Sequence, residues 1–318
     1  MTGTAWPGYL PWADTVHAAR AEFDRAARSL GLIPAIIPPV AREDVALLYC
    51  FCRHLDDAVD EASDPATARG ALMTVEAELS GQRAPRPLIA AFLAGAARSG
   101  LPLECARHLL DGMRSDLDPV RLPDTDALVR YAYQVSAAVG LMLAPLLGIR
   151  DAGVLVRVVD LGIGLQLSNI LLGVSADARR DRVYLPATML ARHQLTQAAV
   201  LGGAPHARLR PALEELADLA EVYYRSAETA AARVPLRYRH GILLLGRTYG
   251  GMGRAAAASP TAPTTPAGLG LGIRVWHLVE LAALALHPVI LGLTREPPHD
   301  PALHRAIAGW PGADPAAG

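Results

Sequence analysis

Apolar residues recur at intervals of three and four along most of the chain, and the alternating pattern of strands is hard to find. This periodicity predicts an all-α protein. The predicted helices cover residues 42–62, 71–79, 87–97, 102–113, 125–147, 153–176, 211–234 and 272–293. Proline and glycine clusters separate these segments, as is typical of the joints between helices.

The sequence shows no internal repeat and no shift in composition that would divide it. We therefore expect one helical domain over residues 1–294. Residues 255–272 are small, proline-rich and uncharged, which predicts a loop or a mobile lid. Residues 295–318 contain several prolines and glycines, and they read as a loosely ordered tail.

The composition excludes some partners. The chain has 318 residues, is 52% hydrophobic and 19% charged, and has a net charge of −1. A chain so nearly neutral lacks the positive field that binds nucleic acid or an anionic membrane. The longest apolar runs are interrupted by Arg, Gln and Ser, so we expect buried helices, no stable membrane span and a cytoplasmic location. A monomer and a homodimer both remain open.

The first polar helical face lies in FCRHLDDAVDEA, where Asp56 and Asp60 are four residues apart. Side chains at this spacing are stacked on a helix, with about 5–6 Å between their Cβ atoms. Two stacked carboxylates repel each other unless a divalent cation lies between them. Arg53 precedes Asp56 by one turn and offers a fork for an anion. The alternative is an ordinary solvated face with surface ion pairs.

The second polar face lies in QLSNILLGVSADARRDRVYLP, residues 166–186, which reads as a helix that stops at Pro186. Gln166, Asn169 and Asp177 share one side of this helix, with Gly173 midway between the last two. Oxygen ligands of this kind suit Mg²⁺, and the arginines that follow, Arg179, Arg180 and Arg182, suit phosphate oxygens. Two such faces in an apolar helical chain indicate a bundle with an apolar cavity and a metal–diphosphate cluster.

These two segments resemble the signature segments of the squalene/phytoene synthases, which are head-to-head prenyltransferases. Three further stretches are similar to family motifs: LLDGMRSDLDP (109–119), YAYQVSAAVG (131–140) and the RTYGG around Tyr249. The resemblance covers roughly residues 29–249. It implies the isoprenoid-synthase fold, an all-α bundle around a central apolar cavity.

The resemblance also implies roles for individual residues. Four would be catalytic residues and Mg²⁺ ligands: Asp56, Asp60, Asn169 and Asp177. Six would contact the diphosphate: Arg53, Gln166, Arg182, Tyr249, Ser29 and Tyr131. Mg²⁺ is the implied cofactor, and a prenyl diphosphate is the implied donor.

The second signature departs from the family pattern N-I-L-R-D-x-x-E-D. Leu172 stands in place of the Arg, Gly173 in place of the first Asp, and Ala176 in place of the Glu. A site for two diphosphates must neutralise about six negative charges, and burying unbalanced charge is costly. The loss of these charged groups favours one diphosphate together with an acceptor that carries none.

Three hypotheses follow from this departure. The preferred one transfers an allylic group, dimethylallyl being the expected one, to a small aromatic acceptor such as a carbazole or indole. Leu172 and Gly173 would then line the acceptor pocket, and the pattern is similar to that of the phytoene-synthase-like carbazole prenyltransferases. The alternatives are a head-to-head synthase with a tolerated variant motif, and a non-catalytic binding partner.

Overall fold

The computed structural model describes residues 12–29, 37–260 and 297–314. Within these ranges the chain forms twelve α-helices and two very short strands. In chain order the α-helices are α1 (Trp12–Ser29), α2 (Arg42–Asp60), α3 (Pro65–Leu79), α4 (Pro87–Ser99), α5 (Leu103–Ser115), α6 (Thr125–Ala132), α7 (Ala138–Leu146), α8 (Ala152–Arg179), α9 (Ala187–Arg192), α10 (Gln197–Leu201), α11 (His206–Glu228) and α12 (Leu236–Ala258). The strands are β1 (Val120–Arg121) and β2 (Arg182–Val183).

The all-α prediction is confirmed, with some differences at the ends of helices. The sequence pattern did not indicate α1. Helix α12 continues to Ala258, so the first residues of the predicted loop 255–272 are helical. Residues 261–272 of that loop and the predicted helix 272–293 lie outside the described residues.

The structured residues group into two compact units, each made of two separate stretches of chain. Unit 1 comprises residues 1–118 and 138–150, and unit 2 comprises residues 119–137 and 151–318. Because both units take residues from the middle of the chain, they are not consecutive domains. The single domain over 1–294 stays a prediction.

Helix α2 provides much of the core of unit 1. Its residues Leu47, Phe51 and Leu55 are buried along one side, as the three-and-four spacing requires. Phe51 stacks on Phe92 of α4, with 4.0 Å between the ring centroids. This contact leaves the opposite side of α2 for polar residues.

Helix α8 lies in the core of unit 2, where it packs against α11 and α12. Its first turn is capped by Asp151, whose carboxylate accepts a hydrogen bond from the amide of Val154 at 3.1 Å. Gly162 of α8 packs directly against the backbone of Ala137. Ala137 ends a π-helical segment, Tyr133–Ala137, inserted between α6 and α7. The glycine thus permits a close approach that any Cβ would block.

The second signature segment does not continue as a helix to Pro186. Helix α8 ends at Arg179, and Asp181 takes a left-handed conformation with φ of 58°. The chain then enters β2, which pairs in parallel with β1 so that Val120 lies opposite Arg182. These strands were not predicted, since two residues are too short to show an alternating pattern.

The C-terminal segment, residues 297–314, is packed and not loosely held. Tyr133 donates a hydrogen bond to the Pro311 carbonyl at 2.7 Å, and its ring meets Trp310 edge to face. Tyr223 donates to the Leu303 carbonyl at 2.9 Å, and Ile307 is completely buried. The prediction of a loose tail was wrong for these residues, because their partners are distant in sequence. Residues 295–296 and 315–318 lie outside the described part.

Among the residues that the structure describes, two helical stretches, Thr125–Leu146 and Ala152–Arg179, are long and apolar enough to cross a membrane. More than half of each stretch is buried inside the protein. Both are therefore compatible with core helices of a soluble protein, as the sequence predicts.

Candidate active site

The first predicted ligands, Asp56 and Asp60, lie at the exposed side of α2 in unit 1. They follow the buried residues Phe51 and Leu55 on the same helix, so the core fixes the direction in which they project. The stacked pair expected from the spacing is therefore present and accessible.

The electrostatics of this face favour a bound cation. The pKa of Asp56 is raised to about 6, chiefly because surrounding protein displaces water, although its side chain keeps solvent exposure. Arg53 opposes this rise, while the negative charges of Asp60 and Asp57 add to it. A divalent cation would relieve this repulsion, which is the property expected of a carboxylate ligand pair.

Arg53, predicted to contact the diphosphate, forms an ion pair with Asp57 at 2.8 Å. About half of its side chain is exposed. An anion would therefore have to compete with Asp57 for this guanidinium, at a cost typical of a surface ion pair.

The second face lies in unit 2, near the C-terminal end of α8. Asn169 is exposed, and its amide donates a long hydrogen bond of 3.5 Å to Gln166. Gly173 is one turn further along, and its backbone is covered by the carboxylate of Asp177. A Cβ at position 173 would lie 2.6 Å from Oδ2 of Asp177. The glycine therefore makes room for the remaining carboxylate to fold back along the helix.

This arrangement changes the interpretation of the predicted acceptor pocket. The open apolar volume expected beside Gly173 is occupied by the charged carboxylate of Asp177. Leu172 is half-buried next to it. A role for these two residues in binding an acceptor stays a prediction.

Asp177 and Arg182 both line a shallow cleft of unit 2, whose apolar walls include Ile170, Val174, Tyr184 and Val200. Arg182 belongs to β2, so the turn at Asp181 returns the chain toward the end of α8. The cleft brings a predicted metal ligand and a predicted diphosphate ligand together.

Aromatic side chains flank this region of unit 2. Tyr131, a predicted diphosphate contact, is buried and stacks on Tyr184 with 4.7 Å between ring centroids. Tyr249, another predicted contact, is half-buried on α12. Ser29 ends α1, but its side chain lies outside the described part of the structure.

The sequence did not identify the buried pair of Ser168 and Tyr224, whose hydroxyl groups lie 2.9 Å apart. Glycines at positions 164, 246 and 250 lie against the Tyr224 ring. Burial raises the pKa of Tyr224 well above its usual value, and the nearby Tyr249 adds to the rise, whereas the Ser168 bond opposes it. The phenol therefore stays neutral. The signal in the sequence was the pair of glycines four residues apart in α12.

Residues 23–274 match the protein family described as squalene/phytoene synthase. The chain is 33% identical to a 15-cis-phytoene synthase of Paracoccus sp. over 251 residues, covering 76% of this chain and 82% of the relative. It is 35% identical to a phytoene synthase of Thermus thermophilus over 238 residues, covering 70% and 80% of the two chains.

Solved structures show the same fold. A dehydrosqualene synthase in complex with a ligand aligns with a TM-score of 0.72 and 23% identity, covering 86% of this chain and 98% of the other. The squalene synthase HpnC of Alicyclobacillus acidocaldarius gives a TM-score of 0.66 and 20% identity, covering 78% and 94%. The isoprenoid-synthase fold predicted from the sequence is confirmed. The chain belongs to the squalene/phytoene synthase family.

Proposed function

We propose that the protein is a Mg²⁺-dependent prenyltransferase that ionises an allylic prenyl diphosphate and joins the prenyl carbon to a carbon acceptor. The observation that carries this proposal is the crowded carboxylate pair Asp56 and Asp60 on the exposed side of α2. Family membership supports it, because the relatives are named phytoene synthases.

The donor atoms fit the proposed cofactor. Asp56 and Asp60 offer carboxylates in unit 1, and Asn169 and Asp177 offer an amide oxygen and a carboxylate in unit 2. Each of these pairs of oxygen donors matches Mg²⁺, which leaves other positions to substrate phosphates. When bound, the ion would neutralise charge on the departing pyrophosphate.

The chain's own residues would do the rest. Arg182, Gln166 and Tyr249 would hold the diphosphate oxygens. These groups would already be in position to stabilise the pyrophosphate anion when the carbon–oxygen bond breaks. The apolar walls of the cleft in unit 2, which include Ile170 and Val174, would exclude water, which would otherwise convert the allylic cation into an alcohol. The cation then forms a carbon–carbon bond with the acceptor, and a bound water or the released pyrophosphate takes up the proton that is lost. An acceptor that carries its own diphosphate must also lose that group before a hydrocarbon can form.

For the acceptor, the comparisons favour a second prenyl diphosphate, which gives head-to-head condensation. The relatives are named for this class of reaction, and the family match over residues 23–274 spans both signature segments. The Asp177 carboxylate beside Gly173 also argues against a wide apolar acceptor pocket at this position. We therefore place head-to-head condensation ahead of transfer to an aromatic ring.

One observation favours the second candidate, transfer to an uncharged aromatic acceptor. Three charged groups of the family motif are replaced by Leu172, Gly173 and Ala176. Fewer charges on this face leave less capacity to neutralise two diphosphates. Dimethylallyl diphosphate and a carbazole or indole would be the corresponding substrates.

Product analysis separates the two candidates. Purified protein with Mg²⁺ is incubated with farnesyl or geranylgeranyl diphosphate alone, and separately with dimethylallyl diphosphate plus carbazole or indole. Head-to-head condensation predicts pyrophosphate release and a hydrocarbon of twice the chain length in the first reaction. A prenylated ring in the second reaction, with no dimeric product in the first, would reverse our order. If the protein releases pyrophosphate from none of these donors, the proposed prenyltransferase activity is contradicted.

A further inference from the structure

A second group of metal-type ligands lies in unit 2, and it includes no residue of either signature segment. Asp160 of α8 meets His299 and His304 of the C-terminal segment. Nε2 of His304 lies 2.9 Å from Oδ1 of Asp160, and Nε2 of His299 lies 3.4 Å from Oδ1 and 3.2 Å from Oδ2. The three side chains are between 0% and 4% exposed.

The outer atoms of the cluster are held in place by neighbours. Nδ1 of His304 lies 2.7 Å from the Ala313 carbonyl, which fixes a proton on that nitrogen and directs Nε2 toward Asp160. Oδ2 of Asp160 accepts a hydrogen bond from Ser226 at 2.6 Å, and Ser226 in turn accepts one from Arg157. This shell of partners orients the ligands as the outer shell of a metal site does.

Two features call for a positive species between the imidazoles and the carboxylate. With Nδ1 of His304 donating to Ala313, its Nε2 and the Asp160 oxygen can approach only if a proton or a metal ion joins them. In addition, Nδ1 of His299 is buried without a hydrogen-bond partner, so this ring is held mainly through its Nε2. Both Nε2 atoms point at the same carboxylate.

The spacing of the ligand atoms is close to that around a metal ion. Ligand atoms about 2.0–2.1 Å from a tetrahedral ion are about 3.3 Å apart, close to the 3.2–3.4 Å between His299 and Asp160. The distance between His304 and Asp160 would open by about 0.4 Å. Two imidazoles and one carboxylate suit zinc and related transition ions, whereas Mg²⁺ prefers oxygen donors.

We propose that Asp160, His299 and His304 bind one divalent transition-metal ion, zinc in the first place. The ion fastens the C-terminal segment to α8. Because the ligands are buried, the site is structural, and it uses none of the residues assigned to Mg²⁺ in the proposed function. Oδ2 of Asp160 lies 3.8 Å from Arg157 and accepts a hydrogen bond from Ser226. Oδ1 of Asp160 is therefore left to bind the ion.

The test uses the full chain without a histidine tag, treated with chelator and then titrated with Zn²⁺. We expect one ion per chain by elemental analysis, a rise in the unfolding temperature, and no competition from millimolar Mg²⁺. Co²⁺ should give visible ligand-field bands without the thiolate charge-transfer bands that binding at Cys50 and Cys52 would produce.

Variants assign the site. His304→Gln and Asp160→Asn should weaken Zn²⁺ binding at least about 100-fold. His299→Gln disturbs the fold least, because one nitrogen of this ring has no partner, and it should weaken binding comparably. The matched control is His193→Gln. His193 pairs with Glu215 and belongs to no proposed metal site, so this variant should bind Zn²⁺ as the wild type does. Wild-type protein without zinc uptake, or variants that keep wild-type affinity, would overturn the proposal in favour of a protonated hydrogen-bond cluster.

Discussion

Replacement of Gly173 by alanine should separate stability from activity. The new Cβ would lie 2.6 Å from Oδ2 of Asp177, and ordinary contact begins near 3.4 Å. The carboxylate must therefore move by about 0.8 Å. Because it is the end of a flexible side chain, this movement costs the fold little. Replacing a glycine inside a helix should meanwhile stabilise the protein by about 0.5–1 kcal/mol.

The same movement should harm catalysis if Asp177 is a ligand. A displacement near 1 Å can cost about 10²-fold in rate, so we expect kcat/KM to fall between about 10-fold and 100-fold. The assay is pyrophosphate release from an allylic diphosphate with Mg²⁺, alongside thermal unfolding. The control is Gly70→Ala in α3, where an added Cβ meets nothing within 4 Å. It should give the same stabilisation and unchanged activity.

A double-mutant cycle tests the cause. If Gly173→Ala acts by displacing Asp177, it should have little further effect in a protein that already carries Asp177→Asn. Full activity of Gly173→Ala, or a loss that multiplies with that of Asp177→Asn, would refute the link between the two residues.

Two further predictions concern stability. Gly162→Ala should destabilise the protein by about 1–3 kcal/mol in chemical denaturation, because its Cβ would lie 2.7 Å from the backbone nitrogen of Ala137; unchanged stability would contradict the close packing of α8 on the π-helical segment. Asp151→Asn should cost about 0.5 kcal/mol at pH 7, because Arg233, with help from the Val154 amide, lowers the pKa of the Asp151 carboxyl. This stabilisation is complete above the unfolded pKa, near 4, and is lost as the pH falls through the lower folded pKa. The two proteins should therefore converge only once the pH is below the folded pKa, which lies under 4, and a difference that persists there would contradict the charge-based explanation.

The features of the fold that depend on local sequence patterns could be predicted from the sequence. The apolar spacing of α2 and α8 gave their positions within a few residues, because each helix must bury a continuous side. The spacing of Asp56 and Asp60 likewise gave a stacked pair, since four residues make about one helical turn.

The failures concern contacts between distant parts of the chain. The C-terminal segment reads as a loose tail, yet His304 is buried against Asp160, 144 residues earlier. Gly173 suggested empty space, whereas a side chain one turn away fills it. The close contact of α8 with the π-helical segment depends on the absence of a Cβ at Gly162, and the periodicity of the intervening residues does not reveal this contact.

The central claim is that the carboxylates on α2 hold the metal that drives loss of pyrophosphate. The most direct measurement is the Mg²⁺-dependent rate of pyrophosphate release from farnesyl and geranylgeranyl diphosphate by wild type, Asp56→Asn and Asp60→Asn. Glu61→Gln, an exposed acid next to Asp60 that has no assigned role, is the control. We predict a loss of about 10²-fold or more in each aspartate variant and an unchanged rate in the control. Aspartate variants that release pyrophosphate at the wild-type rate would contradict the claim.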